Sequence, residues 1–256
     1  MPVTAAAVEP RRAGRELVLE LVFRPLSNVL VPLLVRTRVP PPAVVLGNAA
    51  AGLVAAIVLA RGDLIAAALL LQVKTLLDNV DGALARTTNQ VTLAGRYLDT
   101  IADLVVNVAV FVALGRVTDE PVLAALAFVA LTVVLAVDYN VTELYRESRG
   151  TPTRQPTPTG STVERVLAGI YRVVFGPLDR FVRGFSSWRF SGRSPYDDLA
   201  VTVLANLGLT TQLAALGVCL AVGAPSAYLW LALACLIVPG GLHLRAEVLA
   251  STRRAA

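Results

Sequence analysis

Charge is scarce in this sequence: only 16% of its 256 residues are Asp, Glu, Lys or Arg, against about a quarter in soluble domains, which excludes an ordinary water-soluble globule. There is one histidine, His243, and there are two cysteines, Cys219 and Cys235, which lie in apolar segments without a Cys-x-x-Cys or Cys/His cluster. That argues against a disulfide framework and against a thiolate or imidazole metal site. Glycine (18) and proline (15) occur in ordinary numbers and no short repeat period is present, which removes collagen-like, low-complexity and solenoid architectures. Lysine is almost missing: of 23 basic residues only Lys74 is not an arginine. The net charge of +5 falls between apolar runs and forms no soluble basic face, so nucleic acid is not a partner. What is abundant is apolar surface, 55% of all side chains. The remaining class is an integral membrane protein with one polytopic domain.

Crossing a bilayer takes about 20 apolar residues at about 1.5 Å each. Six stretches qualify, running from Ala43 to Ala60, Leu64 to Leu84, Gly95 to Gly115, Pro121 to Val141, Leu199 to Val222 and Ala227 to Leu244. An all-α protein with six transmembrane helices is therefore predicted. Arg61-Gly62-Asp63 and Gly223-Ala224-Pro225-Ser226 are the only residues between the first two and the last two spans, so each pair forms a tight hairpin. With the N-terminus inside, 20 arginines fall on the inner side and only Arg61 and Arg116 on the outer one. The positive-inside rule then places both termini in the cytoplasm.

The domain organisation follows from these spans. Residues 1–42 form a cytoplasmic and interfacial N-terminal segment. Within it the apolar run from Arg15 to Val35, broken by Arg24, Pro25 and Pro32, reads as an amphipathic helix on the inner leaflet. Residues 43–244 form the six-helix domain, and 245–256 a cytoplasmic tail. Between the fourth and fifth helices lies a long cytoplasmic segment, 142–197. There Val163, Val166, Leu167, Ile170 and Val174 recur at helical spacing beside Arg165 and Arg172, and Phe181, Val182, Phe185 and Trp188 continue the apolar side. A membrane-surface helix is the reading, with a solvent-side cap on the bundle as the alternative.

Four aspartates, Asp78, Asp81, Asp99 and Asp103, fall inside the second and third spans. Each costs at least about 2.5 kcal/mol near the bilayer centre, which folding alone does not explain. Asp78 and Asp81 share one helix face with Gly82 and Ala85. Gly95, Asp99 and Asp103 repeat every four residues, stacking two carboxylates about 6 Å apart above a residue without a side chain. The deepest two, Asp78 and Asp103, each lie about 12 Å from the inner surface, so all four can converge at one depth, open to the cytoplasm. Carboxylates that share a site need a compensating cation. Oxygen-only ligands suit Mg²⁺ or Mn²⁺, and two such ions about 4 Å apart would clamp a phosphoryl group undergoing displacement. Arg86, at the cytoplasmic end of the second span, is placed to meet a phosphate.

The pattern Asp78-x-x-Asp81-Gly82-x-x-Ala85-Arg86, eight residues, Gly95-x-x-x-Asp99-x-x-x-Asp103 resembles, position for position, the signature of the CDP-alcohol phosphatidyltransferases. The resemblance implies a metal-dependent enzyme of phospholipid biosynthesis in a bacterial inner membrane. It would transfer a phosphatidyl-type group from a CDP-linked lipid, CDP-diacylglycerol, to a polar alcohol and release CMP. In the family the first three aspartates, here Asp78, Asp81 and Asp99, hold the metals. Asp103 would complete the metal shell or take the proton from the attacking hydroxyl, making Asp99 and Asp103 the catalytic pair. Gly82, Ala85, Arg86 and Gly95 would line the cytidine diphosphate pocket. The resemblance also implies a homodimer.

The acceptor is not legible. Many glycerol-phosphate enzymes of the family carry Lys directly after the last aspartate, where this chain has Leu104. Arg146 and Arg149 are candidates for binding a phosphorylated acceptor, or else topology determinants. Lys74, one turn before Asp78, pairs with it at i, i+4 and is given no catalytic role. Asn48 is set aside as a nucleotide contact, because the family's Pro-Asn pair is replaced here by Pro40-Pro41-Pro42-Ala43. Asn107 and Asn206 are expected to make interhelical hydrogen bonds. Two alternatives stay open: head-group transfer from a CDP-choline- or CDP-ethanolamine-like donor to diacylglycerol, and a proton- or cation-coupled transporter. The transporter would place its carboxylates near the midplane, commonly with inverted repeats and broken helices, and neither pattern is evident in the sequence.

Overall fold

Proline, glycine and short polar caps set where the helices start and turn in the computed structural model, which describes residues 14–150, 156–177, 180 and 196–255. A π-helical turn, Leu19–Phe23, leads into α1 (Arg24–Arg36), with Pro25 in its first turn and Pro32 inside it. The N-terminal run is thus one continuous helix rather than a broken one. The wider turn ahead of Pro25 and the missing N–H at Pro32 are absorbed without a stop. Leu19, Phe23, Ser27 and Val31 are buried at four-residue spacing, while Leu21, Val29 and Leu33 stay exposed on the other side.

Helix α2 (Pro41–Ala60) turns tightly at Arg61-Gly62-Asp63 into α3 (Leu64–Thr87). Gly62 takes φ +87°, and the Asp63 carboxylate caps α3 by accepting the Ala66 N–H at 3.0 Å. Helix α4 (Leu93–Thr118) is capped by Thr92 and ends on Asp119 in the left-handed conformation, just before α5 (Pro121–Ser148). The fourth helix therefore continues unbroken past Val141, so the segment expected to leave the bundle at residue 142 leaves it at 149. Helix α6 (Thr162–Val174) is the expected amphipathic element, with Val163, Val166 and Ile170 exposed. Phe181, Val182, Phe185 and Trp188 lie outside the described residues.

The expected fifth span is two helices, α7 (Asp198–Ala205) and α8 (Leu209–Ala221), bent by 44°. The break falls at Asn206, whose side chain accepts the Leu17 N–H at 2.9 Å and donates to the Arg15 carbonyl at 2.6 Å. Its hydrogen bonds tie the break to the start of the N-terminal helix, the contact between helices expected of it. The last expected span is also interrupted. Helix α9 (Pro225–Ala234) gives way to α10 (Ile237–Ala255) around Cys235 and Leu236, because Pro239 has no N–H to donate back to Cys235. Helix α10 runs on through the residues of the expected C-terminal tail.

All described secondary structure is helical apart from one isolated bridge between Thr92 and Thr157. Among the described residues four segments are long and apolar enough to cross a membrane: Pro41–Ala60, Leu93–Thr118, Pro121–Ser148 and Pro225–Arg245; α7 and α8 taken as one span make up to five. Helix α3 is not among them, because every 18-residue stretch of it holds at least three of Lys74, Asp78, Asp81 and Arg86. The protein buries only 17–39% of those four apolar stretches. The apolar remainder faces outward over an area that water would not tolerate and lipid would.

Helix α3 packs against α1, α2 and α8 and reaches α4 through the Lys74–Asp103 ion pair, and this position shelters Lys74 and Asp81. Gly52 on α2 permits a close approach of three helices. A Cβ there would lie 2.4 Å from Val106 Cγ1 on α4 and 3.3 Å from Lys74 Cγ on α3, the small-residue contact by which membrane helices draw together. Gly52→Ala is therefore expected to destabilise the fold by about 1–3 kcal/mol, read as a lower melting temperature in detergent. Val106→Ala on the same chain should recover part of the loss, and an unshifted melt for the single variant would contradict the packing described.

Candidate metal centre

The site is built on the facing sides of α3 and α4, where the carboxylates lie on continuous helices and not at the broken segments. Asp78, Asp99 and Asp103 each present an oxygen such that all three lie within 4.8 Å of one another. The helical repeat explains this: Asp99 and Asp103 are one turn apart on α4, and Asp78 meets them from α3. Asp81, one turn further along α3, is not in this trio. Its carboxyl is buried nonetheless, at 6% exposure, and its Oδ2 meets no hydrogen-bond donor among the described residues. Three of the four aspartates thus converge, and the fourth stands beside them.

Two residues left out of the site by sequence reasoning belong to it. Lys74 is wholly buried and places Nζ 2.6 Å from Asp103 Oδ1 and 3.4 Å from Asp78 Oδ1. The i, i+4 pairing with Asp78 was legible, but the shorter contact crosses to α4, which no local spacing reports. Asn48 of α2 donates from Nδ2 to Asp78 Oδ1 at 3.0 Å. The signal for it was present: a buried amide in an otherwise apolar span needs a partner.

The remaining signature residues surround this cluster. Gly82 lies against the Arg86 guanidinium, since a Cβ at 82 would stand 3.2 Å from Nη1. Ala85 is half-buried on the same helix and Arg86 is exposed at its end. Gly95 sits in the first turn of α4 and donates its N–H to the Thr92 hydroxyl at 3.1 Å. Nearly one turn before Asp99, the Arg96 guanidinium donates to the Tyr139 hydroxyl of α5 and lies over that ring.

The segment after α5 returns to this end of the bundle. Leu93 N–H donates to the Thr157 carbonyl at 3.1 Å and Thr157 N–H donates to the Val91 carbonyl at 3.0 Å, which fastens residues 156–160 to the loop between α3 and α4. Glu164 of α6 accepts both the N–H and the hydroxyl of Thr159 at 2.7 Å. These bonds hold its carboxyl below the usual range. Tyr97 of α4 meets Tyr171 of α6 at 5.2 Å between ring centroids, and Tyr171 stacks on Phe175 at 5.1 Å. Arg149 is engaged elsewhere: it reaches Asp198 Oδ1 at 3.0 Å and lies over the Tyr145 ring at 5.1 Å. Arg146 stands nearly one turn earlier on α5.

The donor set fits a divalent cation. It consists of oxygens alone, drawn from two helices, and it leaves Oδ2 of Asp81 and Oδ1 of Asp99 buried with no donor among the described residues. Buried carboxylate oxygens without hydrogen bonds are costly unless a cation meets them.

The fold and site define an all-helical membrane protein with a carboxylate centre between two adjacent helices. The family model for CDP-alcohol phosphatidyltransferases matches residues 38–176, which include the whole centre. The chain belongs to that family, and with it to the transferases that act on CDP-linked alcohols and use divalent metals. Neither the curated proteins nor the solved structures compared with it gave a match.

Binding of a cation that the unfolded chain cannot hold raises stability by mass action. Mn²⁺ or Mg²⁺ added to chelator-treated protein should therefore raise its melting temperature, and Asp99→Asn should abolish most of that rise. An equal rise in the variant would place the cation elsewhere.

Proposed function

We propose that the protein transfers a phosphatidyl-type group from a CDP-linked lipid, CDP-diacylglycerol, to a polar alcohol and releases CMP. The observation that carries this reading is the junction of Asp78, Asp99 and Asp103 between two helices, with uncompensated oxygens on Asp81 and Asp99. In the reaction the acceptor hydroxyl oxygen forms a new bond to the phosphorus nearer the lipid. The bond from that phosphorus to the CMP oxygen breaks, and CMP leaves with the bonding electrons. Asp78, Asp81 and Asp99 would hold two divalent ions, Mg²⁺ or Mn²⁺, which when bound would neutralise the diphosphate and the departing CMP. Asp103 takes the acceptor proton, one of its oxygens being held by Lys74 and the other serving as base.

Other residues bind and orient. Arg86, folded against Gly82, meets the diphosphate. Ala85 and Gly95 are small enough to admit the nucleotide beside the helices. Arg146 and Arg149 are the candidates for binding a phosphorylated acceptor, Arg149 also reaching Asp198. Helix α6, anchored beside the start of α4 through Thr157 and the Tyr97–Tyr171 contact, lies on the membrane surface and holds the donor lipid at the mouth of the site. Helix α3 makes the sixth crossing, its charges sheltered by its neighbours. The arginine distribution puts both termini and the site on the cytoplasmic side of a bacterial inner membrane, and the active form is a homodimer.

The test is CMP release by protein in nanodiscs given CDP-diacylglycerol, Mg²⁺ or Mn²⁺ and a panel of alcohols. Acceptor-dependent CMP is expected, lost with chelator and reduced at least about a thousandfold in Asp99→Asn. Release only from CDP-choline or CDP-ethanolamine with diacylglycerol would reverse the donor assignment. Silence with every donor, from folded and metal-bound protein, would return the intramembrane aspartates to a cation-coupled transporter.

A further inference from the structure

We propose that Lys74 is a positioning residue of the reaction. It grips one oxygen of Asp103 from across the space between α3 and α4, and so fixes the other, Oδ2, as the atom that takes the acceptor's proton. This deepens the transfer reaction proposed above and rests on it.

The way the helices pack carries the argument. Helices α3 and α4 both lie against α2 and hardly touch each other, so backbone packing between them does not set how Asp103 faces the carboxylates of α3. A side chain does. Lys74 Nζ crosses from α3 to Asp103 Oδ1 at 2.6 Å, and its second contact, to Asp78 Oδ1 at 3.4 Å, ties the same ammonium back to its own helix. The terminal torsion of an aspartate is broad, and a charge-assisted hydrogen bond to one oxygen narrows it. The contact engages Oδ1 of each carboxylate and leaves Oδ2 of both to the ions and the substrate. The Asp103 side chain stays 19% exposed while Lys74 is wholly buried, so the ammonium holds Asp103 from the inside and its outer oxygen remains open.

Packing keeps the ammonium in place. The stem of Lys74 passes the backbone of Gly52, where a Cβ would lie 3.3 Å from Lys74 Cγ. An ammonium that let go of its carboxylates would be left uncompensated in a low-dielectric interior. Asn48 Nδ2 donates to the same Asp78 oxygen at 3.0 Å, which steadies the near end of the bridge. In the transfer step the acceptor's hydroxyl proton passes to Asp103 Oδ2 while its oxygen bonds to phosphorus and CMP leaves. Lys74 touches none of the reacting atoms and keeps its own protons.

The experiment sets Lys74→Met, Asp103→Asn and the double variant against wild-type protein in nanodiscs, with radiolabelled CDP-diacylglycerol, Mn²⁺ and the panel of alcohols. Lys74→Met is expected to lower kcat at least about tenfold, with KM for donor and acceptor changed less than about threefold. Added to Asp103→Asn it should cost less than about threefold more, because a residue that acts through Asp103 then has nothing left to position. A further readout needs no turnover. The Mn²⁺ affinity of the nucleotide-free protein, measured by equilibrium dialysis, should be no weaker in Lys74→Met than in wild type, since removing a neighbouring positive charge does not weaken the attraction for a cation. Should Lys74→Met fail to fold, Lys74→Gln removes the charge while keeping a polar head and carries the same comparisons. A smaller loss in the single variant, a loss carried by KM, a larger loss on top of Asp103→Asn, or weakened Mn²⁺ binding would overturn the proposal. No acceptor-dependent CMP from wild-type protein is a different result, because it would overturn the transfer reading itself.

Discussion

Three carboxylates brought within 4.8 Å of one another inside an apolar bundle repel strongly: a pair of like charges about 4 Å apart costs about 4 kcal/mol even at an effective dielectric of 20. The approach of α3 to α4 is tolerable because positive charge and hydrogen-bond donors lie between them. Lys74 supplies the charge from within, touching one carboxylate on its own helix and one on the next. Asn48 adds a donor from α2. The three helices that make the core of the membrane domain are thus joined at their most polar point, and Gly52 lets them close there without a steric conflict.

That constraint shapes the rest of the bundle. Helix α3 turns Lys74 and Asp81 inward, packed by α1, α2 and α8, and leaves Ile65, Leu69 and Val73 exposed on its other side. The helices outside it bury only part of their apolar length and turn the rest toward the bilayer. Where the outer helices break, the freed polar groups find partners inside the protein, as lipid requires. Asn206 at the bend between α7 and α8 binds the backbone at Arg15 and Leu17, so the N-terminal helix and the bend hold each other.

The amphipathic helix α6 is coupled to the site by a short span of backbone. Thr157 pairs with the loop that separates the two aspartate-bearing helices, and Tyr97, two residues before Asp99, contacts Tyr171 of α6. These contacts fasten the amphipathic helix to the start of α4.

The sequence by itself determined the class of the molecule and the chemistry of its centre. Scarce charge and long apolar runs leave no architecture but a helical membrane protein. Aspartates at three- and four-residue spacing within two consecutive spans define a shared face by helical geometry alone. Local signals also placed the hairpin at Gly62 and the amphipathic helix over 162–174. Tertiary structure decided what spacing cannot encode. The partner of Lys74 on α4 and the bond from Asn48 to Asp78 join residues 29 and 30 positions apart. The departure of Asp81 from the trio, the bend at Asn206 and the capture of Arg149 by Asp198 likewise depend on how whole helices are set against each other. Helical periodicity reports which side chains share a face, whereas the neighbour that meets that face is chosen by packing across the bundle.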